Sequence, residues 1–117
     1  MSTTIYHNPR CSKSRATLEL LHSHAVDPQV VEYLKSPPDV ETLGQILSML
    51  GLQPRELMRR GESVYKELGL DDETLSEKEL IRTMCEHPIL IERPIVVSGN
   101  KARIGRPPEN VLDLFAE

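Results

Sequence analysis

The fold is decided by residues 3–33, TTIYHNPRCSKSRATLELLHSHAVDPQVVEY. Thr3 to His7 is β-prone, and Asn8-Pro9 breaks it, because the pyrrolidine ring fixes φ and removes a ladder donor. From Ser12 the pattern turns helical, with Leu18, Leu21 and Ala25 on one face and Glu19 and His22 off it, which predicts a helix over 12–23. Asp27-Pro28 is a turn signal, and the β-branched run Gln29 to Tyr33 predicts a second strand. A short crossover through one helix requires parallel strands with the helix on one face of the sheet.

The rest of the chain follows in the order helices, strand, strand, helix. Asp39 is placed to cap a helix whose stripe is Val40, Leu43, Ile46, Leu47 and Leu50, ended by Gly51. Gln53-Pro54 opens a short helical turn over RELMRR, 55–60, and Ser63 to Leu68 predicts another. Leu75 to His87 reads as a last long helix with Leu80, Ile81 and Met84 inward, where Ser76 and Glu79 have the form of a capping box. Ile89 to Val97 is an apolar strand interrupted by Arg93-Pro94, and Gly99-Asn100 turns it into Lys101–Ile104. Pro107-Pro108 begins a final short helix through Leu114. The expected class is α/β, in the order of a thioredoxin-like fold (β-α-β, then β-β-α) with a helical insertion at about 39–87 in a single domain over 1–117. An α+β domain without that kinship has the same order of elements.

With 117 residues the chain is about one ordinary domain, long enough to bury a core without staples. A formal charge of -4 and 3% aromatic residues without Trp argue against a duplex-coating protein and against a base-stacking platform. No apolar run reaches the ~20 residues of a membrane span, and MSTTIYHN lacks the basic and apolar regions of a signal peptide. A cytoplasmic protein, monomeric, without nucleic-acid or membrane partners, is therefore expected. The two cysteines, Cys11 and Cys85, form no C-x-x-C, and His22, His24 and His87 are scattered, so neither a structural disulfide nor a metal site is expected.

Cys11 stands at the strand-to-helix junction, among His7, Arg10, Lys13 and Arg15. A free thiol near pKa 8.5 falls to roughly 3.5–7.5 at a helix N-terminus or beside cations. The unpaired N–H groups of that first turn favour a thiolate and equally form a cradle for an oxyanion. Ser12 and Ser14 add hydroxyl donors, and His7 acts on the thiol as an imidazolium or through a hydrogen bond, or is only a surface residue at a strand end. The plainer alternative for Cys11 is a small apolar residue at a junction. A phosphatase loop needs C-x-x-x-x-x-R, whereas Arg15 is only four residues on; a dithiol oxidoreductase needs C-x-x-C, and Ser14 stands in the second place.

HNPRCSKSR (7–15), ELMRRGE (56–62), YKELGL (65–70), HPILIERPIVVSG (87–99) and ARIGRPPE (102–109) together resemble the glutaredoxin-coupled arsenate reductase family, ArsC, and most closely its short YfgD-like branch. The resemblance implies that Cys11 attacks arsenate as a thiolate, and from their places around the cysteine His7 and Ser14 are expected to activate it. The resemblance also implies that Arg59, Arg93 and Arg106 hold the anion and the reduced adduct, with the planar guanidinium fork suited to a tetrahedral oxyanion. No bound cofactor is implied; glutathione is the co-substrate and glutaredoxin the partner that resolves the mixed disulfide. Without the resemblance, Arg59 reads as a solvated helix charge and Arg106 as a surface turn residue. Arg93-Pro94 occupies a position resembling the cis-proline that faces the reactive cysteine in thioredoxin-like folds. Cys85, in the last long helix, reads as packing.

Two other readings keep the same scaffold. A regulatory protein like Spx, binding RNA polymerase, normally carries C-x-x-C as a switch, which Cys11-Ser12-Lys13-Ser14 does not. A glutathione-dependent oxidoreductase acting on another oxyanion or on a mixed disulfide retains the single thiol.

Overall fold

A computed structural model describes residues 2–115 of the chain. Two compact units emerge, one from residues 1–36 with 93–117 and the other from 37–92.

The first unit is built on a four-stranded sheet. β1 (Thr3–His7) leads into α1 (Ser12–Ser23) and back to β2 (Gln29–Glu32). β3 (Ile95–Ser98) and β4 (Lys101–Ile104) follow, then a 3-10 helix over Pro108–Leu114. The order across the sheet is β2-β1-β3-β4. β1 and β2 run parallel, His7 opposite Glu32, while β3 lies antiparallel to both β1 and β4, Ile95 facing Tyr6 on one side and Ile104 on the other. Gly99, with φ 61°, supplies the left-handed first position of the two-residue β3–β4 turn. Ile5 on β1, Leu21 on α1, Val96 on β3, and Val111 and Leu114 of the 3-10 helix form the buried cluster, joined by Leu18, Val26 and Phe115. This mixed sheet carries the thioredoxin-like order expected from the sequence.

The α1 stripe differs from the expectation in an informative way. Ala25 lies beyond the helix, exposed, in the left-handed conformation (φ 61°), and the Val26 N–H closes the helix end on the Leu21 carbonyl at 2.9 Å. The buried face instead continues toward the helix N-terminus through Thr17 and Ser14. A hydroxyl-bearing stripe there means that this end of α1 is packed for hydrogen bonding rather than for burial of apolar area. β2 stops at Glu32 rather than Tyr33, because the Lys35 and Ser36 N–H groups both turn back to the Glu32 carbonyl at 2.9 Å.

The second unit holds α2 (Val40–Leu50), α3 (Pro54–Leu57), α4 (Ser63–Glu67) and α5 (Glu77–Glu86), then a 3-10 turn over Pro88–Leu90. The Asp39 carboxylate accepts from the Thr42 N–H, and Gly51 ends α2 at φ 70°. At the start of α5 the Ser76 hydroxyl accepts from the Glu79 N–H and donates to the Glu79 carboxylate.

Two expectations fail here for one reason. RELMRR is not a helical turn throughout: α3 ends at Leu57, and Met58 pairs antiparallel with Ile91 in an isolated bridge. Correspondingly, the apolar run from Ile89 is no strand before Ile95; Arg93 precedes β3 and does not interrupt it. The Arg59 N–H reaches the Leu90 carbonyl at 2.7 Å and the Glu92 N–H reaches the Leu57 carbonyl at 2.9 Å. Long-range pairing of 57–59 with 90–92 satisfies these backbones, which local propensity does not anticipate. Among the described residues no helix is long and apolar enough to cross a membrane.

Candidate active site

Cys11 is the N-cap residue of α1, with extended backbone (φ -93°, ψ 123°), and its carbonyl accepts the first helical bond, from the Arg15 N–H at 3.0 Å. The turn before it is tied by the Cys11 N–H to the Asn8 carbonyl and by the Arg10 N–H to the Asn8 side-chain oxygen, both 3.0 Å. The sequence marks Asn8-Pro9 as the strand break; the closure of the turn by the Asn8 side chain is the part that the structure adds. Arg15 stays on this turn: Nη1 donates to the Pro9 carbonyl at 2.9 Å.

Cys11 is nearly buried, 9% exposed, so the charge on its sulfur depends on what faces it. Burial pushes the thiol up. Against it act the backbone N–H of Ser14, a hydrogen bond from the Arg93 guanidinium, the N–H of Lys13 and the positive charge of Arg93, and the net result is a thiol held below its ordinary value. Arg106 adds Nη2 at 3.8 Å from Sγ while its Nε donates to the Arg93 carbonyl at 2.8 Å. The two arginines each precede a cis proline, Pro94 and Pro107. Thus the basic cluster nearest in sequence is not what charges the site: Lys13 contributes through its backbone, and the cations come from the far end of the chain.

His7 and Ser14 occupy a second layer. His7 is only 6% exposed, which removes the surface reading. Burial lowers its pKa, the Glu32 carboxylate opposes this and Arg15 adds to it, and the net lowering favours a neutral ring over the imidazolium. Its Nδ1 lies 2.7 Å from the Ser14 hydroxyl, which also accepts the Asn8 N–H at 3.0 Å. So the fully buried Ser14 hydroxyl braces the strand end, and Ser14 touches the sulfur through its backbone N–H. Ser12 is exposed.

Two further residues hold the arginines in place. The Gly105 N–H donates to the Pro94 carbonyl at 2.9 Å, and Thr17, buried on α1, donates to the Lys13 carbonyl at 2.8 Å with the Gly105 carbonyl at 3.5 Å. A Cβ on Gly105 would stand 2.5 Å from Thr17 Oγ1 and 2.8 Å from Pro94 Cγ, so the backbone reaches Arg106 by a passage that admits only glycine. A lone glycine before Arg-Pro-Pro gave no sign of this in the sequence.

The structure therefore gathers Cys11, His7, Ser14, Arg93 and Arg106 within the sheet unit. Arg59 belongs to the helical unit, where it is neither helical nor solvated: it is a quarter exposed and pairs with Glu62 at 3.1 Å and Glu92 at 3.7 Å. Cys85, on α5, is partly buried, and burial together with the charges of Asp39 and Glu86 pushes its thiol up. No group of His, Cys, Asp and Glu among the described residues is arranged to hold a metal ion. Chemically, a thiol with a lowered pKa beside two guanidinium groups has the setting of a nucleophile that can also bind anions.

Residues 6–114 match the model of the ArsC family. The chain is 59% identical over 111 residues to the protein named YfgD of Escherichia coli K12, covering 94% of this chain and 93% of that one. It is 50% identical over 108 residues to an arsenate reductase of Neisseria meningitidis serogroup A, 92% of each. A solved arsenate reductase from Vibrio cholerae superposes with a TM-score of 0.94 at 54% identity, over 97% of both chains. The matched residues run from Tyr6 to Leu114, through the cysteine turn and both proline-flanked arginines, and this chain belongs to the ArsC family.

Proposed function

We propose that the chain is an arsenate reductase, and the observation that supports this most directly is the Cys11 thiol held below its ordinary pKa by α1 N–H groups and Arg93, with Arg106 beside it. In this reading the thiolate displaces water from protonated arsenate and forms an S–As(V) bond, while the guanidinium groups of Arg93 and Arg106 neutralise the oxygens. Arg59 is assigned to the same anion by the family resemblance. Glutathione then replaces a second oxygen as water. Attack of a glutaredoxin thiol on the glutathione sulfur makes an S–S bond and leaves the S–As electron pair on arsenic: two thiols lose two electrons and As(V) becomes As(III). Hydrolysis of the Cys11–As(III) bond releases arsenite and returns the thiol.

The lack of a second cysteine beside Cys11 supports dependence on external thiols, since Ser14 stands where a resolving thiol would be. A supply of reduced glutathione makes the cytoplasm the proposed compartment, and a monomer suffices for the cycle. The test is arsenate-dependent NADPH oxidation with glutathione, glutaredoxin and glutathione reductase. Wild type turns over and Cys11→Ser does not. Absence of arsenate-dependent turnover in wild type overturns the substrate, and loss of turnover on replacing glutaredoxin by buffer is required for the proposed coupling.

A further inference from the structure

Arg59 is bracketed by carboxylates in a way that a chance surface pair would not be. Its Nη1 meets Glu62 Oε2 at 3.1 Å and its Nε meets Glu92 Oε1 at 3.7 Å, with all three side chains between 25% and 29% exposed. The backbone fixes each of them. Glu62 is held by its N–H on the Arg59 carbonyl at 3.1 Å, and Glu92 by its N–H on the Leu57 carbonyl at 2.9 Å, beside the Met58–Ile91 bridge. Two carboxylates on separate segments thus converge on one guanidinium at the wall of a cavity of about 400 Å³ lined also by Met58, Arg60 and Gly61. Ionised Glu62 and Glu92 each occupy guanidinium nitrogens that an arriving oxyanion would have to take over at Arg59.

We infer that Glu62 and Glu92 are positioning residues that compete with oxyanion for Arg59 and thereby set the anion affinity of the site. The inference rests on the reading of Arg59 as an arsenate ligand. Phosphate matches arsenate in shape and charge, so carboxylates on Arg59 weaken the capture of both about equally, and phosphate serves as a probe of the anion site.

The experiment compares Glu62→Gln, Glu62→Asp, Glu92→Gln, Arg59→Ala and Arg59→Ala/Glu62→Gln. Calorimetric titration of inorganic phosphate into each, in a Cys11→Ser background, reads anion affinity without turnover; kinetics in the Cys11 background read KM and kcat separately. Glu62→Gln is expected to tighten phosphate and lower the arsenate KM by about threefold to tenfold, kcat remaining within about twofold. Glu92→Gln, at the longer contact, shifts both less in the same direction, and Glu62→Asp stays near wild type. The Glu62→Gln effect vanishes when Arg59 is Ala, because the coupling runs through that guanidinium. Unchanged or weaker phosphate binding in both Gln variants, where Arg59→Ala itself weakens binding, overturns the inference and leaves the arsenate reading standing. Arg59→Ala without effect on phosphate or on KM overturns both the inference and the role of Arg59. Wild type without arsenate turnover removes the substrate assignment alone, since the phosphate titration still decides whether the carboxylates compete. If one Gln variant melts well below wild type, the other decides by itself.

Discussion

Gly105→Ala isolates the contact on which the arginine geometry depends. The added methyl would lie 2.5 Å from Thr17 Oγ1 and 2.8 Å from Pro94 Cγ, about 1 Å inside the roughly 3.5 Å at which non-bonded heavy atoms sit best. Neither neighbour yields easily. Thr17 is fully buried and its hydroxyl is spent on the Lys13 carbonyl at 2.8 Å, and the Pro94 ring is buried with its carbonyl on the Gly105 N–H. Overpacking of this kind costs about 1–3 kcal/mol. At about 4 °C per kcal/mol for a chain slightly above 100 residues, the melting midpoint falls by about 4–12 °C. Because the same shift moves Arg93 and Arg106 against Cys11, and a displacement near 1 Å costs up to about 100-fold in rate, kcat/KM drops about 10- to 100-fold. Gly44→Ala is the control. It lies inside α2 with nothing within 4 Å of the new Cβ, so the same substitution there stabilises by about 0.5–1 kcal/mol. Urea midpoints, melting curves and the alkylation rate of Cys11 measure all of this. A Gly105→Ala protein with a wild-type midpoint and wild-type thiol reactivity would refute the close approach and the positioning role derived from it.

At neutral pH iodoacetamide modifies Cys11 well before Cys85, and mass spectrometry of the peptides shows the order; equal rates contradict the opposed shifts of the two thiols. Arg93→Ala raises the Cys11 pKa, read from thiolate ultraviolet absorbance, while Arg106→Ala moves it less, since Arg93 acts on the sulfur by both hydrogen bond and charge and Arg106 reaches it only through Nη2 at 3.8 Å. His7 has its pKa lowered chiefly by burial, so the unfolded chain binds this proton more readily than the folded one. Its contribution to stability is full above the unfolded histidine value and is lost as pH falls below it, and His7→Gln flattens this part of the stability–pH curve in urea titrations. Cys11, also depressed, favours the fold above the unfolded thiol value and loses that contribution as pH falls through the folded one, so wild type gains on Cys11→Ser only toward alkaline pH.

What the sequence made legible is what local chemistry decides. Asn8-Pro9 ends β1, Asp39 and Gly51 bound α2, and Ser76 opens α5, each by a backbone rule that needs no distant partner. The thiolate at a helix start belongs to the same kind, since the N–H groups that stabilise it are within three residues. What stayed hidden needed long-range pairing. Met58 leaves its helical turn for Ile91, the run from Ile89 defers its strand to Ile95, and Gly105 matters only because Thr17 and Pro94 flank it. Arg93 and Arg106 are legible only through family resemblance; their spacing from Cys11 carries no periodic signal, because β2 and a unit of 56 residues intervene before Arg93, and β3 and β4 as well before Arg106.

Ser14 shows how the single-thiol character is built into the fold. A second cysteine at that position would complete C-x-x-C, yet the hydroxyl there accepts the Asn8 N–H at 3.0 Å and bonds His7 Nδ1 at 2.7 Å, both buried. Sulfur is a weak acceptor with a longer bond to carbon, so a thiol at 14 would leave the Asn8 N–H poorly satisfied and loosen the turn that presents Cys11. The same turn carries the Asn8 side-chain bond to Arg10 and the Asn8 carbonyl bond to Cys11 itself. Converting the site to an internal dithiol therefore requires rebuilding the strand end, not exchanging one atom. The nucleophile's charge comes from backbone N–H groups and a distant arginine, and its position from a serine. On the proposed reading, the second thiol of the cycle therefore comes from solution.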